Sequence, residues 1–132
     1  MSQQLDLVKK YVRWAETLNP DENIALEILH PDYSQWELPN LLNKAGQKSD
    51  IKDSLRRIEI AKTILSSQKF EISSLIEQDA TAVIEARWTG TLAVDAGALK
   101  KGQVLKAYFC MVFEFKDEKI HRIRNYDCFE TG

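Results

Sequence analysis

Residues 104–129, VLKAYFCMVFEFKDEKIHRIRNYDCF, decide how this chain reads. Phe109, Met111, Phe113 and Phe115 alternate with Cys110, Val112 and Glu114, the period-two pattern of a strand with one buried face. A second run follows Asp117-Glu118, so the stretch reads as a β-hairpin. Its second arm ends in Asn125, Tyr126 and Asp127, polar groups where a strand would stay apolar or turn. A carboxylate carried there sits either at a rim or inside a pocket.

The turn decides which residues of the second arm face the aromatic row, because opposed residues share a face. A two-residue loop at Asp117-Glu118 sets Phe113 opposite Arg122 and Phe109 opposite Tyr126. A three-residue loop at Lys116-Asp117-Glu118 sets Phe113 opposite His121, Met111 opposite Ile123 and Phe109 opposite Asn125. The second places fewer charges against the aromatics and is the preferred reading. It turns Ile123, Asn125 and Asp127 inward and leaves Arg122, Arg124 and Tyr126 on the outer side.

Composition bounds the rest. The chain has 132 residues, 44% hydrophobic and 29% charged, enough for one domain, 1–132, with its own core. The formal charge is -2, so no basic footprint argues for nucleic acid. No apolar run approaches the roughly 20 residues that span a bilayer. The N-terminus MSQQLDLVKK has no apolar h-region, so no signal peptide is expected and the cytoplasm is the default location. Cys110 and Cys128 fall out of opposition on the two arms in either register, which argues against a disulfide.

Helical periodicity predicts a first helix from about Leu5 to Leu18, with Leu5, Val8, Val12 and Ala15 inward and Tyr11 and Trp14 flanking. Asp21 can cap a short second helix that ends at His30-Pro31. A short strand follows over Asp32–Leu38, then a loop over 41–48. Ser49 or Asp50 starts a third helix with Ile51, Leu55, Ile58 and Leu65 inward. Strands over Phe70–Glu77 and Thr81–Val94 precede the terminal hairpin. The order α-α-β-α-β-β-β-β gathers helices before antiparallel strands and predicts an α+β fold. One curved antiparallel sheet wrapped around the N-terminal helices would enclose a pocket.

This order, with Leu29-His30-Pro31-Asp32-Tyr33 leading into a short polar strand, resembles the nuclear transport factor 2-like superfamily. The stretch Arg87-Trp88-Thr89-Gly90-Thr91 and the terminal KIHRIRNYDCFE add to the likeness, which is nearest the SnoaL-like branch of polyketide cyclases and ketosteroid isomerase relatives. The resemblance implies a cone-shaped pocket and a homodimer formed through the outer sheet face. It covers most of the chain but names a fold better than a reaction.

Two carboxylates are the catalytic candidates. Glu37 lies on the strand that delivers a base in ketosteroid isomerase-like relatives, although Leu38 separates it from Pro39 and a one-residue slip would turn it away. Asp127 matches the acid/base Asp near the end of the last strand in SnoaL-like cyclases. In an apolar cavity either would have its pKa raised and could abstract a proton next to a carbonyl; on a solvated strand neither would. Asn125 is the candidate for holding a ligand oxygen. Phe109, Met111, Phe113, Ile123 and Trp88 are the candidate apolar wall, with core packing the default for Trp88. Tyr11 lies near the place of the tyrosine that isomerases use, but reads as a core or interface aromatic. Met111 stands where their second acid donor would be and cannot donate.

The two histidines, His30 and His121, have no metal-ligand spacing, and no cofactor motif appears. The expectation is a pocket for a small apolar molecule, acting as a cofactor-independent isomerase, cyclase or dehydratase. The alternative is a non-catalytic ligand-binding or dimerising module.

Overall fold

The computed structural model describes residues 2–130. Its elements are α1 (Gln3–Thr17), α2 (Glu22–Ile28), β1 (Leu29–Glu37), β2 (Gln47–Ser49), α3 (Ile51–Ile64), β3 (Leu65–Gln78), β4 (Thr81–Leu92), β5 (Val104–Lys116) and β6 (Lys119–Phe129). The strands form one curved, unclosed sheet in the order β2-β1-β6-β5-β4-β3. The fold is α+β, as the element order predicts.

Each helix begins at a residue that satisfies its open N–H groups. The Ser2 hydroxyl accepts from Leu5 N at 3.0 Å, and Asp21 accepts from Asn23 N at 2.9 Å. Asp50 and Asp53 cap α3 reciprocally, with Asp53 N donating to Asp50 Oδ1 at 2.8 Å and Asp50 N to Asp53 Oδ2 at 3.3 Å. Helix α1 ends at Leu18, whose φ of 53° stops the helix.

Two features depart from the sequence pattern. The 41–48 segment is not all loop: it contributes the start of β2, which pairs antiparallel with β1. The sheet is also mixed rather than wholly antiparallel, because β1 runs parallel to β6, with Gln35 beside Ile123 and Glu37 beside Asn125. Strand β1 enters directly from α2, and its ladder with β6 is irregular between Leu29 and Ser34, around Pro31, which has no N–H to give.

The terminal hairpin takes neither register expected from the turn. Its loop has two residues, Asp117 and Glu118, both at positive φ (52° and 62°), which is a type I′ turn. Lys116 then pairs with Lys119 and Phe115 with Ile120, but Glu114 pairs with Arg122. His121 is therefore bulged out of the ladder. Beyond it Phe113 faces Ile123, Met111 faces Asn125 and Phe109 faces Asp127.

Val8 and Val12 of α1, Ala25 and Ile28 of α2, and Ile84, Phe113, Ile120 and Ile123 of the sheet make the main core. Leu18, Leu65, Trp88, Leu92 and Ala107 make a second cluster. No described helix is long and apolar enough to cross a membrane.

Candidate functional site

A cavity of about 570 Å³ lies between α1, α3 and the inner face of the sheet. Alternation places Tyr33, Gln35 and Glu37 of β1 on that face, while Trp36 turns outward beneath Lys48, 5.1 Å from its ring centre. On β6 the same alternation brings in Asn125 and Asp127. Parallel pairing sets the two strands side by side, so the polar residues of both gather at one end. The chain leaves β1 through Leu38 and returns at Gly46, at φ +69°, where a Cβ would lie 2.7 Å from the Glu37 carbonyl oxygen. Only glycine fits that close return.

The polar groups form a directed chain. Tyr33 donates its hydroxyl to Gln35 Oε1 at 3.3 Å, and Gln35 Nε2 donates to Asn125 Oδ1 at 2.8 Å. Asn125 Nδ2 then donates to both oxygens of Asp127, at 2.9 Å each. Burial pushes the Asp127 carboxyl up to about 6; the Asn125 hydrogen bond opposes this, the Glu37 carboxylate adds to it, and the Arg57 guanidinium opposes it.

Glu37 points into the cavity but is not free there. Its carboxylate forms an ion pair with Arg57 Nη2 and accepts from Asn40 Nδ2 at 2.8 Å. Arg57 is the one cationic side chain among the described residues that line the cavity. The sequence pattern does not announce it, since a single arginine on a helix reads as solvated. The available signal is helical spacing: from the capping box at Asp50, residues Ser54, Arg57, Ile58 and Ala61 fall on one side of α3 and all line the cavity.

Tyr11, read from sequence as a core or interface aromatic, also lines the cavity, and its hydroxyl lies beside those of Tyr33 and the amide of Gln35. Burial raises its pKa, against the Arg57 charge. Burial likewise holds the Tyr33 hydroxyl well above the ordinary tyrosine range.

The other end of the cavity is apolar. Trp88 and Phe109 stack with ring centres 5.6 Å apart, and Phe129 meets Trp88 edge-on at 5.7 Å. Trp88 both packs the second core cluster and lines the cavity. Its Nε1 donates to Gln68 Oε1 at 2.8 Å, and its ring lies over Gly90, where a Cβ would come within 2.5 Å of it. Met111 also lines the cavity.

Phe113 and Ile123 do not line the cavity: both are fully buried in the core. The Tyr11 ring covers Phe113 edge-on at 5.7 Å and takes the place on the wall. The bulge at His121 pairs Ile123 with Phe113, so both belong to the packed layer.

The histidines stand elsewhere. His30 and His121 meet edge-on at 4.8 Å, His30 Nε2 lies 3.3 Å from Asp117 and His121 Nε2 lies 3.4 Å from Asp32. Neither lines the cavity. Among the described residues no group of three or more His, Cys, Asp or Glu is placed to hold a metal ion.

No protein-family model matches the sequence, and a search of curated proteins gives no match. Solved structures do match. IdmH of Streptomyces antibioticus, a proposed polyketide cyclase, superposes with a TM-score of 0.78 at 12% identity, over 96% of this chain and 92% of that one. A proposed SnoaL-like polyketide cyclase from Jannaschia sp. CCS1 gives 0.75 at 13% identity, over 95% and 85%. A protein of ketosteroid isomerase-like fold from Catenulispora acidiphila, solved with trimethylamine, gives 0.72 at 12% identity, over 91% and 83%. At these identities the likeness establishes the fold: this chain has the nuclear transport factor 2-like fold of the SnoaL-like proteins and the ketosteroid isomerases.

Proposed function

We propose that this chain binds a small, largely apolar, carbonyl-containing molecule in the cavity and moves a proton on it without a cofactor, as an isomerase, cyclase or dehydratase. One observation carries the reading: the Asp127 carboxyl lies in the cavity with its pKa pushed up to about 6. Such a group can take a proton from a carbon beside a carbonyl and return it near neutral pH. Asn125 fixes the carboxylate in place. Glu37, tied to Arg57 and Asn40, acts as a fixed charge that keeps the guanidinium in the cavity, so the base role falls to Asp127. The apolar end, with Trp88 and Phe109, suits the body of the molecule.

The test is exchange of the α-hydrogens of a panel of small cyclic ketones in deuterium oxide, followed by proton NMR. The wild-type protein should accelerate exchange for at least one ketone. Asp127→Asn should slow it by about 10²–10⁴-fold with an unchanged circular dichroism spectrum. Exchange that is absent in the wild type, or equal in the variant, overturns the proton-transfer reading in favour of a non-catalytic ligand-binding module.

We also infer a homodimer through the outer sheet face. Tyr108 and Tyr126 stand exposed there on β5 and β6, opposite Cys128 and Cys110 respectively, an uncharged patch beside Arg87 and the Arg124–Glu114 pair. Sedimentation of the wild type should give a dimer and Tyr108→Glu a monomer; a wild-type monomer at micromolar concentration overturns this. The free thiols of Cys110 and Cys128 suit a reducing compartment such as the cytoplasm.

A further inference from the structure

Four apolar side chains stand in water where the cavity opens. Leu42, on the segment after β1, and Ile60 and Ile64, on α3, all line the cavity, and Leu41 adjoins Leu42. Each of the four is between 39% and 57% exposed, so they border the opening and do not close it. The leucines are fixed there. The Asn40 side chain accepts from Leu42 N at 3.0 Å and from Asn43 N at 3.1 Å, and donates to Glu37 at 2.8 Å. Apolar side chains held together at a surface mark a place of contact with something apolar.

The charges on the same segments have one dominant sign. Lys44 follows the leucines, and Lys62 lies between Ile60 and Ile64. Lys100 and Lys101 lie on the 93–103 connection, which begins against the end of α3, with Ala93 N donating to Ile64 O at 2.7 Å. All four lysines are exposed, and among the described residues none is in an ion pair. The stretches 41–46, 59–64 and 93–103 carry only two carboxylates, Glu59 and Asp95. The whole chain has a formal charge of -2, so the positive excess is local.

We propose that this end of the molecule rests on the surface of an anionic lipid bilayer. Leu41, Leu42, Ile60 and Ile64 dip below the headgroups, and the four lysines lie against the negative charges above them. Binding of this kind grows with buried apolar area and with attraction to anionic lipid, and the rim supplies both. An acidic protein would answer the lysines alone. The apolar side chains ring an opening, which a protein could meet only with a matching plug, whereas lipid chains conform to separate side chains. An apolar molecule dissolved in the bilayer then reaches the cavity without crossing water. The chain lies on such a membrane and does not span it. Proton transfer at Asp127 is not needed for this; the open cavity is.

The experiment is sedimentation of the full chain with sucrose-loaded vesicles, either of phosphatidylcholine alone or of an equal mixture with phosphatidylserine. The wild type should sediment with the anionic vesicles, and at least about 10-fold more weakly with the neutral ones or at high salt. Lys100→Gln with Lys101→Gln should weaken anionic binding by about 5-fold per charge. Leu41→Ser with Leu42→Ser should weaken it by at least about 10-fold, with the thermal midpoint unchanged because both side chains are exposed. Ile76→Ser removes an exposed side chain near the other end of β3, away from the cavity, and should bind as the wild type does. A wild type that does not sediment with anionic vesicles overturns the proposal, as does binding that the leucine pair leaves intact. Binding to poly-L-glutamate in place of vesicles would assign the lysines to an acidic protein and would also overturn it. No substrate is present, so the result is independent of the proton-transfer reading.

Discussion

Asn125 presents its side-chain nitrogen to both carboxylate oxygens of Asp127, 2.9 Å from each. The amide cannot choose its orientation freely, because Gln35 Nε2 donates to Asn125 Oδ1 from the other side and the Tyr33 hydroxyl fixes Gln35 in turn. Gln35→Glu removes that donor and sets a carboxylate against Asn125 Oδ1. The amide should then flip and turn its oxygen toward Asp127. Because the Asn125 hydrogen bond lowers the Asp127 pKa, its loss should raise it. Carbon-13 NMR titration of the Asp127 carboxyl should give a higher midpoint in Gln35→Glu than in the wild type; an equal midpoint would show that the amide chain does not govern the acid.

Asp127 also makes a stability prediction. Its folded pKa of about 6 lies above the ordinary unfolded carboxyl value of about 3.9. Between those values the folded state keeps a proton that the unfolded chain releases, so stability falls as pH rises through this window. The loss amounts to roughly 2–3 kcal/mol when complete. Asp127→Asn has no such ionisation. Urea denaturation should show the variant gaining on the wild type between pH 4 and pH 7, with the difference constant above the folded pKa. A difference independent of pH would contradict the raised pKa.

Much of this site is written in local pattern, and the rest is not. Alternation in β5 and β6 identifies the inner face that carries Phe109, Asn125 and Asp127, and it does so although the expected register is two positions away from the real one. A two-residue loop plus a bulge at His121 differs from a three-residue loop by an even number, and strand faces repeat every two residues. Periodicity gives a face but not a depth. Phe113 and Ile123 share the pattern of Phe109 and Met111, yet a ring from α1, Tyr11, closes over Phe113. The parallel pairing of β1 with β6 and the reach of Arg57 to Glu37, 20 residues apart, are non-local and leave no trace in spacing. The caps at Asp21 and Asp50 are short-range chemistry, and they were readable for that reason.

The Glu37–Arg57 pair should behave as a partly buried unit, with side-chain exposures of 11% and 30%. Arg57→Met leaves the Glu37 carboxylate inside the cavity with Asn40 as its main donor. The expected loss is about 2–4 kcal/mol, since stranding one buried charge costs more than the intact pair contributes. Adding Glu37→Gln should recover a large part of it. Chemical denaturation of the wild type, both single variants and the double variant gives the coupling directly. Additive losses would show that the pair does not hold α3 against β1.

The β5–β6 turn offers the simplest gain. Asp117 and Glu118 both occupy the left-handed region, at φ 52° and 62°, a conformation that costs an ordinary L-residue roughly 1–2 kcal/mol. A type I′ turn favours glycine at its second position. Among the described residues the Glu118 side chain has no hydrogen-bond partner, whereas Asp117 reaches His30 at 3.3 Å. Glu118→Gly should therefore stabilise the fold by about 0.5–1 kcal/mol after the added freedom of the unfolded glycine is subtracted. Asp117→Gly should gain less, because it also gives up the His30 contact. The turn is remote from the cavity, so ketone exchange should be the same in Glu118→Gly as in the wild type. A lower denaturation midpoint for Glu118→Gly would mean that the hairpin closes with a turn other than type I′, and that the bulge at His121, with the facing of Asn125 and Asp127 that follows from it, must be drawn differently.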